Sequence, residues 1–503
     1  MSRGRRIPGK SGAQRHVAVV GAGLSGLAAA MHLAGDGYRV TVLERESIPG
    51  GRNGLLEKDG FTFDTGPKVF TMVSLLQEAF SAVGKRVPDY VTLKQLDPAY
   101  HAHFADGSTL LVRAGHEAMR AEIAAHSGAK DAAAFDKFVV WLKRLNDVEL
   151  PHFIDANFNS PLSLFRSPMA ALELIRLGGF GRLGPAVARR FDDERLHRMF
   201  SFQAMYAGLA PAQALALYAV ITYMDSIEGV FFPEGGMHAV PRAMAQAAAD
   251  SGVEFRYSTP VERVERRADG SAAGVRLPGG EVLAADAVVV TVDLPVAYER
   301  LLPDVRAPRV ARNGRYSPSA LVWHVGVRGT LPDGVGHHNI YFGKAWDESF
   351  RELLDGGTAM TDPSRFLSVP SIDDPAAAPE GCHVLYYLEP VPNLKVGRLD
   401  WDVEGPRLRE RMLGSLETMG YPTDIVTEEL VTPADWESQG MAAGTPFALA
   451  HTFPQTGPFR PKNVDRRVPG LVFAGSGTTP GVGIPMVLVS GKLAAKRVAE
   501  MGR

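Results

Sequence analysis

Cysteine occurs once in 503 residues, at Cys382, which excludes an internal disulfide framework and a multi-cysteine metal centre and points to an intracellular protein. No run of about 18 apolar residues is present, so no segment is expected to span a bilayer. Neither sign of charge dominates. With 54 Lys+Arg against 56 Asp+Glu the net charge is -2, which gives no global attraction to nucleic acid, and no nucleic-acid partner is expected. A nucleophile elbow, an HExxH helix and a P-loop are all missing, which leaves hydrolase and kinase chemistry without a foothold. Asp147, Glu149, His152 and Asp155 lie close together but lack metal-ligand spacing. They are assigned surface or structural roles, and no metal is expected.

What is present is an ordinary globular composition, 45% hydrophobic, long enough for two or three domains with full cores. Glycine (53) and proline (35) together exceed the usual share of about 12%, so the extra glycine should mark particular turns. Residues 1–15 carry Arg3, Arg5, Arg6, Lys10 and Arg15 with no apolar stretch before Gly21, which predicts a solvated basic tail rather than a secretory signal.

His16 to Glu44 reads strand, glycine turn, helix, strand. Val17 to Val20 is the continuous apolar run of a parallel strand covered on both faces. Gly21-Ala22-Gly23-Leu24-Ser25-Gly26 opens an Ala/Leu-rich helix, and Tyr38–Leu43 forms the second strand, closed by Glu44 and Arg45. In such a turn the first glycine permits the tight bend, the second lets backbone approach a pyrophosphate, and the third allows close helix packing. The helix N-terminus then faces the phosphates, and Glu44 stands where an acceptor for ribose hydroxyls belongs. An acid here disfavours a 2′-phosphate, and hence NADP. Gly50-Gly51-Arg52 comes next, then Phe63-Asp64-Thr65-Gly66-Pro67; paired glycines admit a close ligand and an arginine can clamp phosphate. The arrangement resembles the flavoprotein superfamily of amine oxidases, phytoene desaturases and Rab GDP-dissociation inhibitors, which makes FAD the expected cofactor.

Beyond residue 91 the pattern alternates as strands, with an Asp106-Gly107 hairpin, and from His116 to about Asp225 it becomes helical. Within that stretch, residues 160–190 combine Leu, Met and Phe positions with five arginines against one acid, Glu173, a composition suited to a membrane interface or to an amphipathic helix on its own core. Gly229–Gly236 leads into another helix, and strands are expected at Val253–Tyr257, Val261–Val264, Ala287–Val292, Ala320–Val327 and His383–Glu389. Leu471–Ala474 is a buried strand followed by Gly475-Ser476-Gly477, Gly483-Ile484-Pro485 and a helix to about Met501, whose N-terminus would stabilise negative charge on a reduced flavin.

These motifs, together with Phe200-Ser201-Phe202 and Thr456–Pro461, make the chain resemble the bacterial-type phytoene desaturases over essentially its whole length. One departure is Lys68, where relatives commonly carry threonine. The resemblance implies an α/β fold: a Rossmann-type, glutathione-reductase-like FAD-binding domain from segments 16–85, 229–295 and 440–503, a mixed-sheet substrate domain from 86–115 and 296–439, and a helical, membrane-facing subdomain over 116–228. It implies hydride transfer from 15-cis-phytoene to FAD, with Gly21, Gly23, Leu24, Ser25, Gly26, Glu44, Arg45, Gly50, Gly51, Arg52, Gly66, Pro67, Val261, Gly475, Ser476, Gly477, Gly483, Ile484 and Pro485 against the cofactor. Asp225, Glu228 and Glu234 are candidate bases. A substrate without a polar handle calls for a long apolar tunnel and peripheral contact with a membrane surface from the cytoplasm. An oligomer is compatible. Open alternatives are another carotenoid-modifying flavoenzyme and a non-catalytic prenyl-binding protein of the same fold.

Overall fold

The computed structural model describes residues 14–160, 162–163 and 167–501; all of the expected basic tail but Gln14 and Arg15 lies outside them. A strand buried on both faces needs neighbours on both edges, and His16–Val20, buried at all five positions, has them. It pairs in parallel with Arg39–Leu43 on one side and Ala287–Val290 on the other. Glu254–Arg256 and Leu471–Phe473 extend the two edges, so five strands from distant parts of the chain make one parallel sheet.

The helices Leu24–Gly35 and Ile484–Met501 pack against each other beside this sheet. Their approach is close because Gly491 faces Ser25, where any Cβ would overlap the Ser25 carbonyl oxygen. Asp64 fixes a third helix: its carboxylate accepts the N–H groups of Met237 and His238, at 2.8 and 2.9 Å, just before Ala239–Ala249. That contact explains why the Phe63–Pro67 and Gly229–Gly236 motifs belong together, since a side chain on Gly236 would press on the same carboxylate.

A second, seven-stranded sheet runs in the order Asp424–Val431, Ser319–Arg328, Cys382–Val391, Arg365–Ser368, His338–Tyr341, Tyr100–His103, Thr109–Val112. Its pairs are antiparallel except Tyr100–His103 with His338–Tyr341, and the helix Trp401–Thr418 buries Leu408, Met412 and Leu416 against one face. Val261 itself stays outside a strand. The strand expected at Val261–Val264 forms as Arg263–Arg266 and joins a separate antiparallel sheet with Ala272–Arg276 and Val282–Ala284.

Between His116 and Ile227 the chain is helical but broken. A long helix, Ala129–Glu149, packs Phe135 and Phe138 on Phe200 and runs on into a π-helical turn, Leu150–Ile154, that contains Pro151; the helices after it are short, Pro168 opening one of them. Of the amphipathic 160–190 segment, Pro161, Leu164, Phe165 and Arg166 lie outside the described residues; Pro168–Arg176 is a short helix. Among the described residues no helix is long and apolar enough to cross a membrane.

Candidate cofactor and substrate cavity

Successive parallel strands present the residues after their carboxyl ends along one edge of the sheet, and ligands of such sheets bind there. Here Gly21, Glu44, Thr291–Asp293 and Gly475–Ser476 all come after strand ends, and all line one cavity of about 1690 Å³. This exceeds the roughly 300–1,000 Å³ of an ordinary small-molecule site.

The polar end of the cavity is a glycine cradle. Gly21 has φ +102°, a conformation that disfavours a side chain, and the Gly50 and Gly51 φ values of +129° and +57° make the same demand. Gly23 stands beside Gly51, whose Cα would lie 3.8 Å from a Cβ placed on Gly23, at the start of the helix Leu24–Gly35. Gly26 serves packing instead, since a Cβ there would overlap the Gly21 carbonyl, and it does not line the cavity. Glu44 is buried and accepts the Ala22 and Glu46 N–H groups at 2.6 and 3.0 Å, which fixes its carboxylate at the cavity wall. Arg52 donates to Asp293 (2.7 Å) and Ser476 (2.5 Å), while its buried Nε has no partner. An orphaned guanidinium N–H beside a helix N-terminus and a glycine cradle suits a pyrophosphate. The donor set therefore fits a dinucleotide such as FAD.

Gly475, Ser476, Gly483, Ile484 and Pro485 line the same cavity, as do Leu24, Ser25, Arg45, Gly66, Pro67 and Val261. Gly477 does not; it faces Leu294 instead. Arg460 explains the shape of this loop. Wholly buried, it donates to the carbonyl oxygens of Leu449, Gln455, Ser476 and Thr478, and burial lowers its pKa to about 10.

Away from the cradle the wall becomes apolar, with Phe202, Ile221, Met224, Phe342, Phe366 and Leu388 among its residues. Val220 and Met224 pack with Met72, and Met486 touches the same cluster, so this arm adjoins the N-terminus of the helix Ile484–Met501. Ionisable side chains interrupt it, Lys68, Asp225 and Glu149 among them. Lys68 lies over the Tyr386 ring at 4.5 Å and donates to the Asp64 carbonyl at 2.7 Å; burial lowers its pKa to about 8. Asp225 accepts from Ser226 Oγ at 2.8 Å and from Gln203 at 3.4 Å, and burial raises its pKa to about 7. Glu149, assigned a surface or structural role from the sequence, is instead buried on the cavity wall, and burial pushes its carboxyl well up. Glu228 and Glu234 are exposed and stand outside the lining.

Compared with known proteins, residues 24–499 match the family described as flavin containing amine oxidoreductase. The chain belongs to this family. Among flavin containing amine oxidoreductases, it is 53% identical over 488 residues to the phytoene dehydrogenase of Streptomyces griseus, covering 96% of this chain and 95% of the relative. It is 38% identical over 496 residues to the zeta-carotene-forming phytoene desaturase of Myxococcus xanthus, covering 96% and 94%. In fold it is similar to an oxidoreductase from Methanosarcina mazei, with a TM-score of 0.63, 16% identity, and 96% and 100% of the two chains covered. Putrescine oxidase bound to putrescine gives 0.58 at 17% identity, with 97% and 99% covered. In this flavin containing amine oxidoreductase Asp225, a candidate base from the sequence, is the one of the three candidates that lines the cavity, whereas Glu149 escaped the sequence pattern; the buried neighbour Leu145, one helical turn earlier, was the available signal.

Proposed function

We propose that the chain is an FAD-dependent phytoene desaturase, introducing successive double bonds into 15-cis-phytoene toward neurosporene or lycopene. The observation that carries the reading is the continuity of one cavity from a dinucleotide cradle into a long apolar arm, in a chain 53% identical to a phytoene dehydrogenase. A hydrocarbon offers no hydrogen bonds, so its binding free energy must come from buried apolar area, at about 25 cal/mol per Å².

Gly21, Gly23, Leu24 and Ser25 would hold the pyrophosphate, with Arg52 steadied by Asp293 and Ser476. Glu44, with Arg45 beside it, would take the ribose, and Val261 would border the adenine. Gly66, Pro67, Gly475, Ser476, Gly483, Ile484 and Pro485 would border the ring, while Gly26 and Gly477 shape the fold behind. Bound FAD supplies a hydride acceptor. The chain's own residues orient the polyene, exclude water through the apolar arm, and place the helix N-terminus at Ile484 near the accumulating negative charge.

Peripheral membrane contact is supported by Met169, Ile175, Phe180 and Phe453, which are 70%, 62%, 41% and 52% exposed. Ile175, Phe180 and Phe453 also line the cavity, so the apolar arm reaches the surface through an apolar rim flanked by Arg176 and Arg182. The test is incubation of purified protein with FAD, an electron acceptor, and liposomes carrying phytoene. Conjugated products absorbing at longer wavelength are expected; unchanged phytoene alongside turnover of another carotenoid would overturn the substrate.

A further inference from the structure

Desaturation removes two hydrogens from neighbouring carbons. If the desaturase reading holds, the flavin takes one as hydride, and a group on the apolar arm must take the other as a proton. We infer that Asp225 is this catalytic base, its carboxylate facing the substrate from the arm of the cavity that adjoins the helix N-terminus at Ile484. In the step, one C–H bond gives its hydrogen and electron pair to the oxidised cofactor. The C–H bond on the next carbon breaks, its electron pair closes the new C=C bond, and its proton goes to Asp225 Oδ. The hydrocarbon is oxidised by two electrons and the flavin reduced by two.

Position comes first. Asp225 is 1% exposed, lines the cavity, and comes directly after Met224, which belongs to a cluster with Met72 and Val220 against which Met486 of the C-terminal helix packs. It sits in the π-helical turn Tyr223–Ile227, a widened turn of the kind found at functional sites. Chemistry then separates it from the other acids. Glu44 and Asp293 are engaged by backbone N–H groups and by Arg52. Glu149 has a buried oxygen without a partner, and burial pushes its carboxyl well up, which works against the anion that a base must start from. Asp225, by contrast, has Ser226 and Gln203 donating to it, which offsets part of the burial cost and leaves it poised near neutrality. The titratable groups facing it are the phenols of Tyr100 and Tyr206, on the strand Tyr100–His103 and the turn Phe202–Ala207; burial, then neighbouring charge, keeps both protonated.

The experiment compares wild type, Asp225→Asn and Asp225→Glu in the liposome assay with phytoene, across pH 5.5 to 8.5, with FAD content measured for each. Expected is a loss of about 100-fold or more in kcat for D225N at full FAD occupancy, and partial recovery in D225E. Wild-type kcat should rise with pH through about 7, and that limb should vanish from the residual D225N activity. A second readout is independent of turnover. Because the folded carboxyl holds its proton longer than the unfolded one, wild-type stability falls as pH rises from about 4 to 7; D225N should unfold at a higher temperature than wild type at pH 8, the reverse of losing a structural contact. D225N turnover within several-fold of wild type, or a pH limb that persists in it, overturns the inference. Should D225N fail to retain FAD, D225E decides: a displaced limb supports the base and an unmoved one overturns it. A wild type that leaves phytoene untouched overturns the desaturase reading itself, and the base with it.

Discussion

Lys68 and Asp225 stand on the same cavity wall with opposite charges, and burial moves their proton affinities toward each other. For Lys68 the folded pKa is lowered to about 8, so between pH 8 and 10.5 the unfolded chain binds more protons than the folded one and stability rises with pH. Below pH 8 the buried ammonium costs about 3 kcal/mol. Lys68→Met should therefore stabilise the protein by roughly that amount at pH 7, with the gain shrinking toward pH 10, as denaturant unfolding at several pH values would show. Arg52 makes a different point. Its fork reaches Asp293 and Ser476 at once, which a lysine ammonium cannot reproduce, so Arg52→Lys should weaken FAD binding by at least about tenfold, measured by flavin fluorescence on titration.

Among the elements, the turn Gly475–Pro485 depends on a residue outside it. Arg460 satisfies four carbonyl oxygens that would otherwise be buried and unpaired, so Arg460→Met should cost about 3–5 kcal/mol and release the flavin, read as a lowered unfolding midpoint and a colourless preparation. The segment Pro168–Phe180 carries another prediction. Placing aspartate at Met169 and Ile175 should abolish sedimentation with anionic liposomes while FAD content stays full, because both side chains point to solvent. How much of this was legible depends on range. The turn at Gly21–Gly26 could be read directly because strand, bend and helix are contiguous, even though Gly21 and Gly23 face Thr291 and Gly50–Gly51 farther along the chain. Gly477 misled because it stands in a run of glycines outside such a contiguous motif, where repeated glycines look alike before folding; in the structure it faces Leu294. Glu149 was unreadable for a related reason: the helix Ala129–Glu149 shows an ordinary amphipathic pattern, but at its last turn the surrounding walls close over a position that the period alone leaves undecided.

At the scale of the whole molecule, FAD would touch chain segments near residues 21–25, 44–52, 259–261 and 475–485, which the parallel sheet and side chains such as Arg52 hold together. The packed helices Leu24–Gly35 and Ile484–Met501 and the backbone bonds from Gly50 to Ala22 and from Thr259 to Glu44 also join these segments, so binding should protect them together from hydrogen exchange and raise the unfolding midpoint; at a ligand concentration 100 times Kd the gain is about 2.7 kcal/mol. Protection confined to Val17–Gly26 would show that the cradle binds without the C-terminal turn.

The bond from Arg52 to Ser476 also sets a timetable. During synthesis the first strand, helix and glycine turn emerge early, yet the edge strand Leu471–Phe473 and the turn after it come much later, Ser476 standing 424 positions after the arginine it bonds. A nascent chain can form the first half of the cradle, but it cannot close it until residue 476 has been made. Cofactor loading would thereby wait on that segment: chains that stop short of residue 471 would lack an edge of the sheet as well as a wall of the cavity, leaving apolar surface open to chaperones and proteases.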